Sequence, residues 1–202
     1  MFVTFEGIDG AGKSTLMRGV ESELVRQGKK VLSTREPGGT DFGQKVRQLL
    51  LEGEDMSPLA EVFLFLSDRT HHINHLVRPA LTEGKFVLCD RHSDSTIVYQ
   101  GYGRGLDIEL LRGLNQTATL GVVPDLTLLL DLEPTIGLAR QTHQDRLGSL
   151  DLEFFQRVRR GFLSEAAREP TRFHVLDACQ SQERLIEESL LVLQRQLERR
   201  DA

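Results

Sequence analysis

The chain has 202 residues, of which 39% are hydrophobic and 27% are charged, and its formal net charge is −5. A chain of this length can bury one sizeable core, so we expect a single domain over residues 1–202. The negative charge argues against a general affinity for nucleic acid, which needs a broad basic face. No run of about eighteen apolar residues is present, so no membrane-spanning helix is expected.

The N-terminus and the cysteines indicate where the protein resides. Met1 leads directly into an apolar segment, with neither the basic flank nor the cleavage site of a secretion signal. Cys89 and Cys179 each lie at or just after the end of a predicted strand, and we expect both thiols to be buried and reduced. These features predict a cytoplasmic location.

Short apolar segments alternate with amphipathic segments along the whole chain. The apolar segments predict five buried strands, over residues 2–5, 30–34, 86–89, 126–130 and 173–176. The amphipathic segments predict helices over about 13–27, after the loop at 35–40, from 57 to 84 and around 184–197. Because continuous apolar strands alternate with helices, we expect an α/β fold, a parallel five-stranded sheet with helices on both faces. Parallel sheets bind ligands at the carboxyl ends of their strands.

The helix that begins near residue 57 has the clearest sequence signals. Ser57 is a typical N-cap, and Pro58 suits the first helical position. Pro79 is expected to interrupt or kink this helix, and Gly84 is expected to end it. Its first turns carry a wide apolar stripe, formed by Leu59, Val62, Phe63 and Leu66.

A phosphate-binding loop directly follows the first predicted strand. Residues 7–14 read GIDGAGKS and fit the pattern G-x-x-x-x-G-K-[ST] between a strand and a helix, which predicts a P-loop NTPase-type fold. Glycines allow several backbone N–H groups to point at phosphate oxygens, and the helix start adds positive potential. Lys13 is expected to reach the β- and γ-phosphates, and the Ser14 hydroxyl is expected to bind Mg²⁺. The predicted ATP-binding residues are Gly7, Ile8, Asp9, Gly10, Ala11, Gly12, Lys13, Ser14 and Thr15.

The loop by itself predicts only that a nucleoside triphosphate binds. The guanine-reading segment of GTPases, Asn-Lys-x-Asp, does not occur in this sequence. A GTP-dependent switch is therefore disfavoured.

The segment after the second predicted strand suits an acceptor phosphate. Arg35 lies close to the Gly38-Gly39 pair, and a guanidinium can bind two oxygens of a phosphate monoester. A plain surface turn is the alternative interpretation.

The segment after the third predicted strand suits a metal and a second phosphate contact. Asp90 can hold Mg²⁺ through water, and the neighbouring Arg91 can bind phosphate. Asp131 and Asp177 also end apolar strands, so simple capping of the next segment is the alternative for Asp90.

The sequence resembles the bacterial thymidylate kinase family from Met1 almost to its C-terminus. The segments that carry the resemblance are 5–15 (FEGIDGAGKST), 34–40 (TREPGGT), 65–69 (FLSDR), 90–96 (DRHSDST), 99–101 (YQG) and 145–146 (DR). The TREPGGT segment is the most specific of them. The resemblance implies a Mg²⁺-assisted kinase that uses ATP to convert dTMP to dTDP for dTTP synthesis. It also implies a homodimer, for which the apolar helix that begins at Pro58 is a candidate surface.

The resemblance implies roles at the matching positions. Asp9 would bind the 3′-hydroxyl of the deoxyribose, and Arg35 and Arg91 would clamp the acceptor phosphate, with a cis bond at Glu36-Pro37. Phe65 would stack on thymine, although its sequence position by itself suits a core residue. The other implied dTMP-binding residues are Arg69 at a base carbonyl, Thr96 and Gln100 at the base edge, Tyr99 under the sugar, and Ser95.

The family also closes a lid over ATP, and here the lid is expected at about residues 140–149. It looks short, and residues 141–144 (QTHQ) occupy a stretch that is often rich in arginine. Arg140 and Arg146 are expected to stabilise the transferring phosphoryl group, so the predicted catalytic residues are Lys13, Arg91, Arg140 and Arg146. Two ordinary surface charges are the alternative for the lid arginines.

Two other functions stay open from the sequence. A deoxynucleoside kinase is one, although its acceptor brings no phosphate to Arg35. A nucleotide sensor without turnover is the other, because the lid has few arginines. His71 and His75, four residues apart, could form half a zinc site, but a solvated helix face is the preferred interpretation.

Overall fold

The computed structural model describes residues 1–140 and 151–201 and contains a five-stranded parallel sheet. The strands are β1 (Phe2–Glu6), β2 (Val31–Arg35), β3 (Phe86–Asp90), β4 (Leu126–Asp131) and β5 (Phe173–Asp177). They lie in the order β2-β3-β1-β4-β5, and each adjacent pair is parallel. The predicted α/β architecture is confirmed. All five strands end one residue later than predicted, so that Glu6, Arg35, Asp90, Asp131 and Asp177 belong to them.

Helices connect the strands. They are α1 (Lys13–Arg26), α2 (Asp41–Glu52), α3 (Pro58–His72), α4 (Arg78–Thr82), α5 (Ser93–Thr96), α6 (Ile108–Thr119), α7 (Pro134–Arg140), α8 (Leu152–Arg168) and α9 (Gln182–Asp201). Two π-helices, Ile73–Val77 and Ile97–Gly103, join α3 to α4 and continue α5. The sequence patterns did not locate α5, α6, α7 and α8.

The side chains of the central strands alternate between two cores. Val3 and Phe5 of β1 pack in the larger cluster, which also contains residues of α1, α8 and α9. Phe2 lies on the opposite face, in a cluster with Val77 and Cys89. Because successive strand residues point to opposite faces, this distribution shows that the sheet is covered on both sides.

The sheet register gathers the chemically interesting strand ends at one edge. In the pairing of β2 with β3, Arg35 lies opposite Asp90, and in the pairing of β1 with β3, Phe5 also lies opposite Asp90. The loop that begins at Gly7 therefore leaves the centre of the sheet beside Arg35 and Asp90. This is the carboxyl edge, where parallel sheets bind ligands.

Helix α3 begins as predicted. Ser57 Oγ accepts a hydrogen bond from Ala60 N at 3.4 Å, and Pro58 occupies the first turn. The prediction at Pro79 needs refinement, because the interruption lies earlier, in the π-helix at Ile73–Val77. Pro79 then lies in the first turn of α4, where its missing N–H is tolerated.

The expectation of two buried thiols is half wrong. Cys89 is fully buried on β3, but Cys179 is exposed, because it lies beyond the end of β5 in the turn that precedes α9. The apolar stripe of α3 is also divided. Val62 and Leu66 are buried, whereas Leu59 and Phe63 are 41% and 55% exposed.

Within residues 1–140 and 151–201, no helix is long and apolar enough to cross a membrane. In the same residues, no group of three or more His, Cys, Asp or Glu side chains is arranged to hold a metal ion. His71 and His75 instead pack against each other, with ring centroids 4.2 Å apart.

Candidate active site

The loop between β1 and α1 is shaped by glycines in backbone conformations that other residues rarely adopt. Gly7 has a φ of 134° and Gly10 a φ of 80°. A Cβ on Gly7 would lie 2.5 Å from the Leu130 carbonyl oxygen, and one on Gly10 would overlap the carbonyl of Gly137 in α7. The loop is therefore fixed by its neighbours as well as by its own sequence.

Lys13 lies at the centre of this loop. Its Nζ donates hydrogen bonds to the carbonyl oxygens of Gly7 at 3.1 Å and Ile8 at 2.9 Å, and the residue is buried. Burial and the nearby Arg91 lower the pKa of Lys13, while Asp9, Asp90 and Glu6 oppose that change. The ammonium group is thus held inside the loop, where a phosphate chain would be wrapped.

Ser14 and Asp90 form a pair of oxygen ligands beside the loop. The Ser14 hydroxyl donates to Asp90 Oδ2 at 2.8 Å. One hydroxyl and one carboxylate suit Mg²⁺, which takes few protein ligands and completes its shell with phosphate oxygens and water. The other two strand ends differ from Asp90, since Asp131 forms an ion pair with Arg159 at 2.7 Å and Asp177 caps the next segment by accepting a hydrogen bond from Cys179 N.

Arg91 is fixed by a set of hydrogen bonds at the end of β3. Its guanidinium donates to Asp9 Oδ1 at 2.6 Å, to the Gly7 carbonyl at 3.0 Å, and to the Ser95 and Tyr99 hydroxyls at 3.1 Å each. Burial raises the pKa of Asp9, but Arg91 and Lys13 outweigh it and bring that pKa down to about 2. Asp9 is therefore ionised at neutral pH and orients Arg91.

Two cavities open at this edge of the sheet. The first, called the phosphate-loop cavity, is lined by Asp9, Gly10, Gly12, Lys13, Ser14, Thr15, Arg35, Glu36, Arg47, Asp90, Arg91 and Arg140. The second, called the inner cavity, is lined by Asp9, Glu36, Pro37, Arg47, Leu51, Phe65, Arg69, Arg91, His92, Ser95, Thr96, Tyr99 and Gln100. Asp9, Glu36, Arg47 and Arg91 line both cavities, so the two share a wall.

Most of the predicted site residues meet in these cavities. Arg35, Asp90 and Arg91 line the phosphate-loop cavity with Lys13, and Phe65 lines the inner cavity with its ring half-buried. The arginine that sequence reasoning missed is Arg47, on α2, whose Nη1 donates to the Pro37 carbonyl at 3.1 Å. The signal that could have identified it is its position next to Val46, on the face of α2 that is buried.

Arg69 crosses the floor of the inner cavity and is almost completely buried, with 1% exposure. Its Nε donates to Glu36 at 2.8 Å and its Nη2 donates to the His92 carbonyl at 3.0 Å. Its Nη1 donates to the Thr96 hydroxyl at 3.1 Å and to the Asn115 side chain. Arg69 thus lines the inner cavity, and it also has hydrogen-bond partners within the protein that the sequence did not indicate.

Glu36 is the centre of this buried network. Its carboxylate pairs with Arg69 at 2.8 Å, with His72 Nδ1 at 2.8 Å and with His92 Nδ1 at 3.0 Å. Burial opposes ionisation, but His92, Arg69 and the hydrogen bond from His72 hold the pKa of Glu36 well below its usual value. The Glu36–Pro37 bond is cis, as the resemblance implied. The role of Glu36 as a buried anion was not predicted.

Glu6, at the end of β1, supports the segment that carries Arg91. Its carboxylate accepts hydrogen bonds from His92 N at 2.8 Å and from the Ser95 hydroxyl at 2.6 Å. Burial, together with the nearby Asp94, raises the pKa of Glu6 to about 7, against opposing effects of Arg91 and Ser95. Glu6 was also missed, since one acidic residue in an apolar strand carries no distinctive pattern.

The lid is described only at its first residue. Arg140 ends α7, lines the phosphate-loop cavity and donates to the Gly10 carbonyl at 3.4 Å. Gly137 packs α7 against the phosphate loop, since a Cβ there would lie 2.7 Å from the Asp9 carbonyl oxygen. The predicted Arg146 and the rest of the expected lid, 141–149, lie outside the described residues.

Comparisons with known proteins identify the family of this chain. The family model "Thymidylate kinase" matches residues 5–189. A thymidylate kinase of Solidesulfovibrio magneticus is 49% identical over 199 residues, covering 93% of this chain and 95% of the relative. One of Synechococcus sp. (strain JA-3-3Ab) is 51% identical, covering 88% and 87%.

A solved structure leads to the same family. The crystal structure of thymidylate kinase from Ehrlichia chaffeensis matches with a TM-score of 0.79 and 37% identity, covering 96% of this chain and 98% of that one. The chain therefore belongs to the thymidylate kinase family.

Proposed function

We propose that this enzyme transfers the γ-phosphoryl group of ATP to dTMP, giving dTDP and ADP. The observation that carries the proposal is the shared wall of the two cavities, where Asp9, Arg47 and Arg91 face both sides. A triphosphate wrapped by the loop and a monophosphate held from the inner cavity would meet at these residues. Because phosphoryl transfer leaves little covalent chemistry to the protein, such a site acts by positioning the two phosphates and by stabilising the charge between them.

The phosphate-loop cavity is the proposed ATP site. Lys13 spreads the charge that develops on the β- and γ-phosphates, and the loop amides hold the phosphate chain. Ser14 and Asp90, 2.8 Å apart, are the residues that would hold Mg²⁺. When bound, the ion reduces the negative charge on the phosphate oxygens.

The arginines at the shared wall are the proposed acceptor clamp. Arg35, Arg47 and Arg91 reach the cavity from β2, α2 and the end of β3, and together they suit a dianionic monoester. Asp9 binds the 3′-hydroxyl through the carboxylate that also holds Arg91. The acceptor oxygen is already anionic near neutral pH, so this step needs little general-base help.

The far end of the inner cavity is the proposed thymine site. Phe65 offers a flat apolar face, Arg69, Thr96 and Gln100 offer polar groups for the base edge, and Tyr99 and Ser95 line the sugar side. An apolar ring combined with a few fixed polar groups is how proteins read a base.

Arg140 is the proposed lid arginine among the described residues, and it is held near the loop by its contact with Gly10. Arg146, outside the described residues, is proposed to act with it. An arginine that reaches the transferring phosphoryl group contributes ~10³-fold or more in related reactions.

An assay of ADP release with different acceptors tests the proposal. We expect turnover with dTMP, weaker turnover with other nucleoside monophosphates and none with thymidine, since thymidine leaves the three arginines without an anion. Preferred turnover of thymidine would overturn the proposal in favour of a nucleoside kinase. Tight binding of ATP and dTMP with no dTDP formed would favour a nucleotide sensor.

We also propose that the protein forms a homodimer through α3. Leu59 and Phe63 are exposed on this helix, and Phe42 of α2 is 39% exposed. Apolar surface of this kind is typical of subunit contacts. Sedimentation of the protein and of Phe63→Glu checks this, with dissociation of the variant as the expected result.

A further inference from the structure

A buried carboxylate behind the inner cavity fixes the direction of a base-contacting amide. Glu61, in the first turn of α3, is completely buried and does not line the cavity. Its Oε1 accepts a hydrogen bond from Gln100 Nε2 at 2.9 Å. Gln100 is 2% exposed and lies on the second π-helix, with its other face on the cavity.

The chemistry of the pair allows one orientation of the amide. An ionised carboxylate has only hydrogen-bond acceptors, so it must face the NH₂ of Gln100 and not its carbonyl oxygen. Arg104 supports this arrangement, since its Nε lies 3.2 Å from Glu61 Oε1 and places a positive charge beside the carboxylate. Among the described residues, none donates a hydrogen bond to Gln100 Oε1. The amide therefore presents an acceptor to the inner cavity.

We infer that Glu61 is a specificity-determining residue, which selects pyrimidines with a hydrogen on N3 by holding the Gln100 carbonyl oxygen toward the base. The inference rests on the proposed dTMP kinase function. Thymine and uracil both carry N3–H, which donates to this oxygen. In cytosine N3 carries no hydrogen, so two acceptors, this N3 and the Gln100 oxygen, would face each other. The amino group of cytosine would likewise face the N–H donors of Arg69. Leaving buried polar groups unpaired in this way is strongly disfavoured.

Glu61→Gln tests the assignment with almost no change in shape. A neutral amide at residue 61 can donate or accept, so Gln100 can turn over and present its NH₂ to cytosine N3. We expect the ratio of kcat/KM for dTMP over dCMP to fall at least about tenfold, which corresponds to one moderate hydrogen bond. The ratio of dTMP over dUMP is expected to stay within about twofold, because both bases present the same N3–H.

A matched control separates this effect from the loss of any buried ion pair. Glu165 is 1% exposed and pairs with Arg112 at 2.8 Å, on α8 and away from both cavities. Glu165→Gln should lower the unfolding temperature as Glu61→Gln does, but leave the dTMP/dCMP ratio unchanged. If Glu61→Gln does not fold, Glu61→Met, which removes the acceptor, is expected to lower the same ratio.

The outcomes are distinct. An unchanged dTMP/dCMP ratio in a folded Glu61 variant, or equal losses for dTMP, dUMP and dCMP, would overturn the inference and leave the kinase function intact. A parent enzyme that used dCMP as efficiently as dTMP would also overturn it. A parent enzyme with no turnover of dTMP would instead refute the proposed function.

Discussion

The two cavities of this kinase are built in different ways. Half of the residues that line the phosphate-loop cavity come from one continuous segment, residues 9–15, whose glycines and backbone amides supply the shape. The inner cavity is formed by side chains from several distant segments, which are the phosphate loop, the loop after β2, α2, α3, the segment after β3, α5 and the second π-helix. One cavity depends on backbone conformation, and the other depends on a network of buried charges.

This difference determines what a mutation can damage. In the phosphate loop, the chemistry depends on few side chains, of which Lys13 is the buried one. In the inner cavity, Glu36 pairs with both Arg69 and His72, so a change at Glu36 removes the carboxylate partner of two buried side chains at once. Changes in the first region should affect kcat, and changes in the second should affect acceptor binding and stability.

The largest effect is expected at Lys13. Lys13→Met should lower kcat by ~10³-fold, because the charge that forms on the transferring group loses its preorganised cation. Binding of dTMP, measured by calorimetry, should change less than about threefold if the cavities act separately. Lys29→Met, at an exposed lysine after α1, is the control and should keep full activity. A comparable loss of dTMP affinity would show that the regions are not independent.

The pH dependence of stability tests the role of Glu6, which supports the segment that carries Arg91. Because burial raises the pKa of Glu6 from 4.5 to about 7, its contribution to stability is fully present below pH 4.5 and is lost as pH rises through 7. The parent should therefore lose up to about 3 kcal/mol of unfolding free energy relative to Glu6→Gln over that range. Urea unfolding at several pH values measures the difference.

The titration of Asp9 does not interfere with this measurement, because it lies at lower pH. Its pKa is lowered to about 2, so its stabilising contribution is lost only as pH falls from 3.8 toward 2. A difference between parent and Glu6→Gln that stays constant from pH 4.5 to 7 would contradict the assignment for Glu6.

Arg47 tests the acceptor clamp. Arg47→Met should raise the KM for dTMP by about tenfold to 150-fold and change the KM for ATP little, since a charged hydrogen bond contributes about 1.5–3 kcal/mol. Steady-state kinetics with each substrate varied gives both values. Arg184→Met, at an exposed arginine of α9, should change neither KM. An equal rise in both KM values would contradict the assignment of Arg47 to the acceptor site alone.

The smallest effect is expected at the N-cap of α2, the helix that carries Arg47. Thr40 Oγ1 accepts a hydrogen bond from Gly43 N at 3.0 Å, and Thr40→Ala should cost about 1 kcal/mol in chemical unfolding. Ser57→Ala removes the equivalent cap of α3 and should cost a similar amount. Only the Thr40 change should also raise the KM for dTMP, by about twofold. Equal KM values in both variants would show that the N-cap of α2 does not affect the acceptor clamp.

The fold and the donor site were predictable because their signals are local. Apolar strands with helices between them predicted the parallel sheet, and the loop motif predicted where Lys13 and Ser14 lie. The chemistry of the segments after two strands predicted Arg35 and Arg91 as phosphate-binding residues, and the family resemblance added the role of Phe65. Arg47, Glu36 and Glu6 were not, since each is an ordinary polar residue in its own segment and gains its role only from residues far along the chain.

The sequence by itself determined the elements, the order of strands and helices along the chain, and the phosphate loop, because short-range periodicity and backbone preference set them. Only the tertiary structure decided that Cys179 is exposed, that the cavities share Asp9 and Arg91, and that Glu61 holds Gln100. These features depend on burial and on hydrogen bonds between distant segments. A charge that is costly to bury alone becomes stable once the fold brings its partner within about 3 Å.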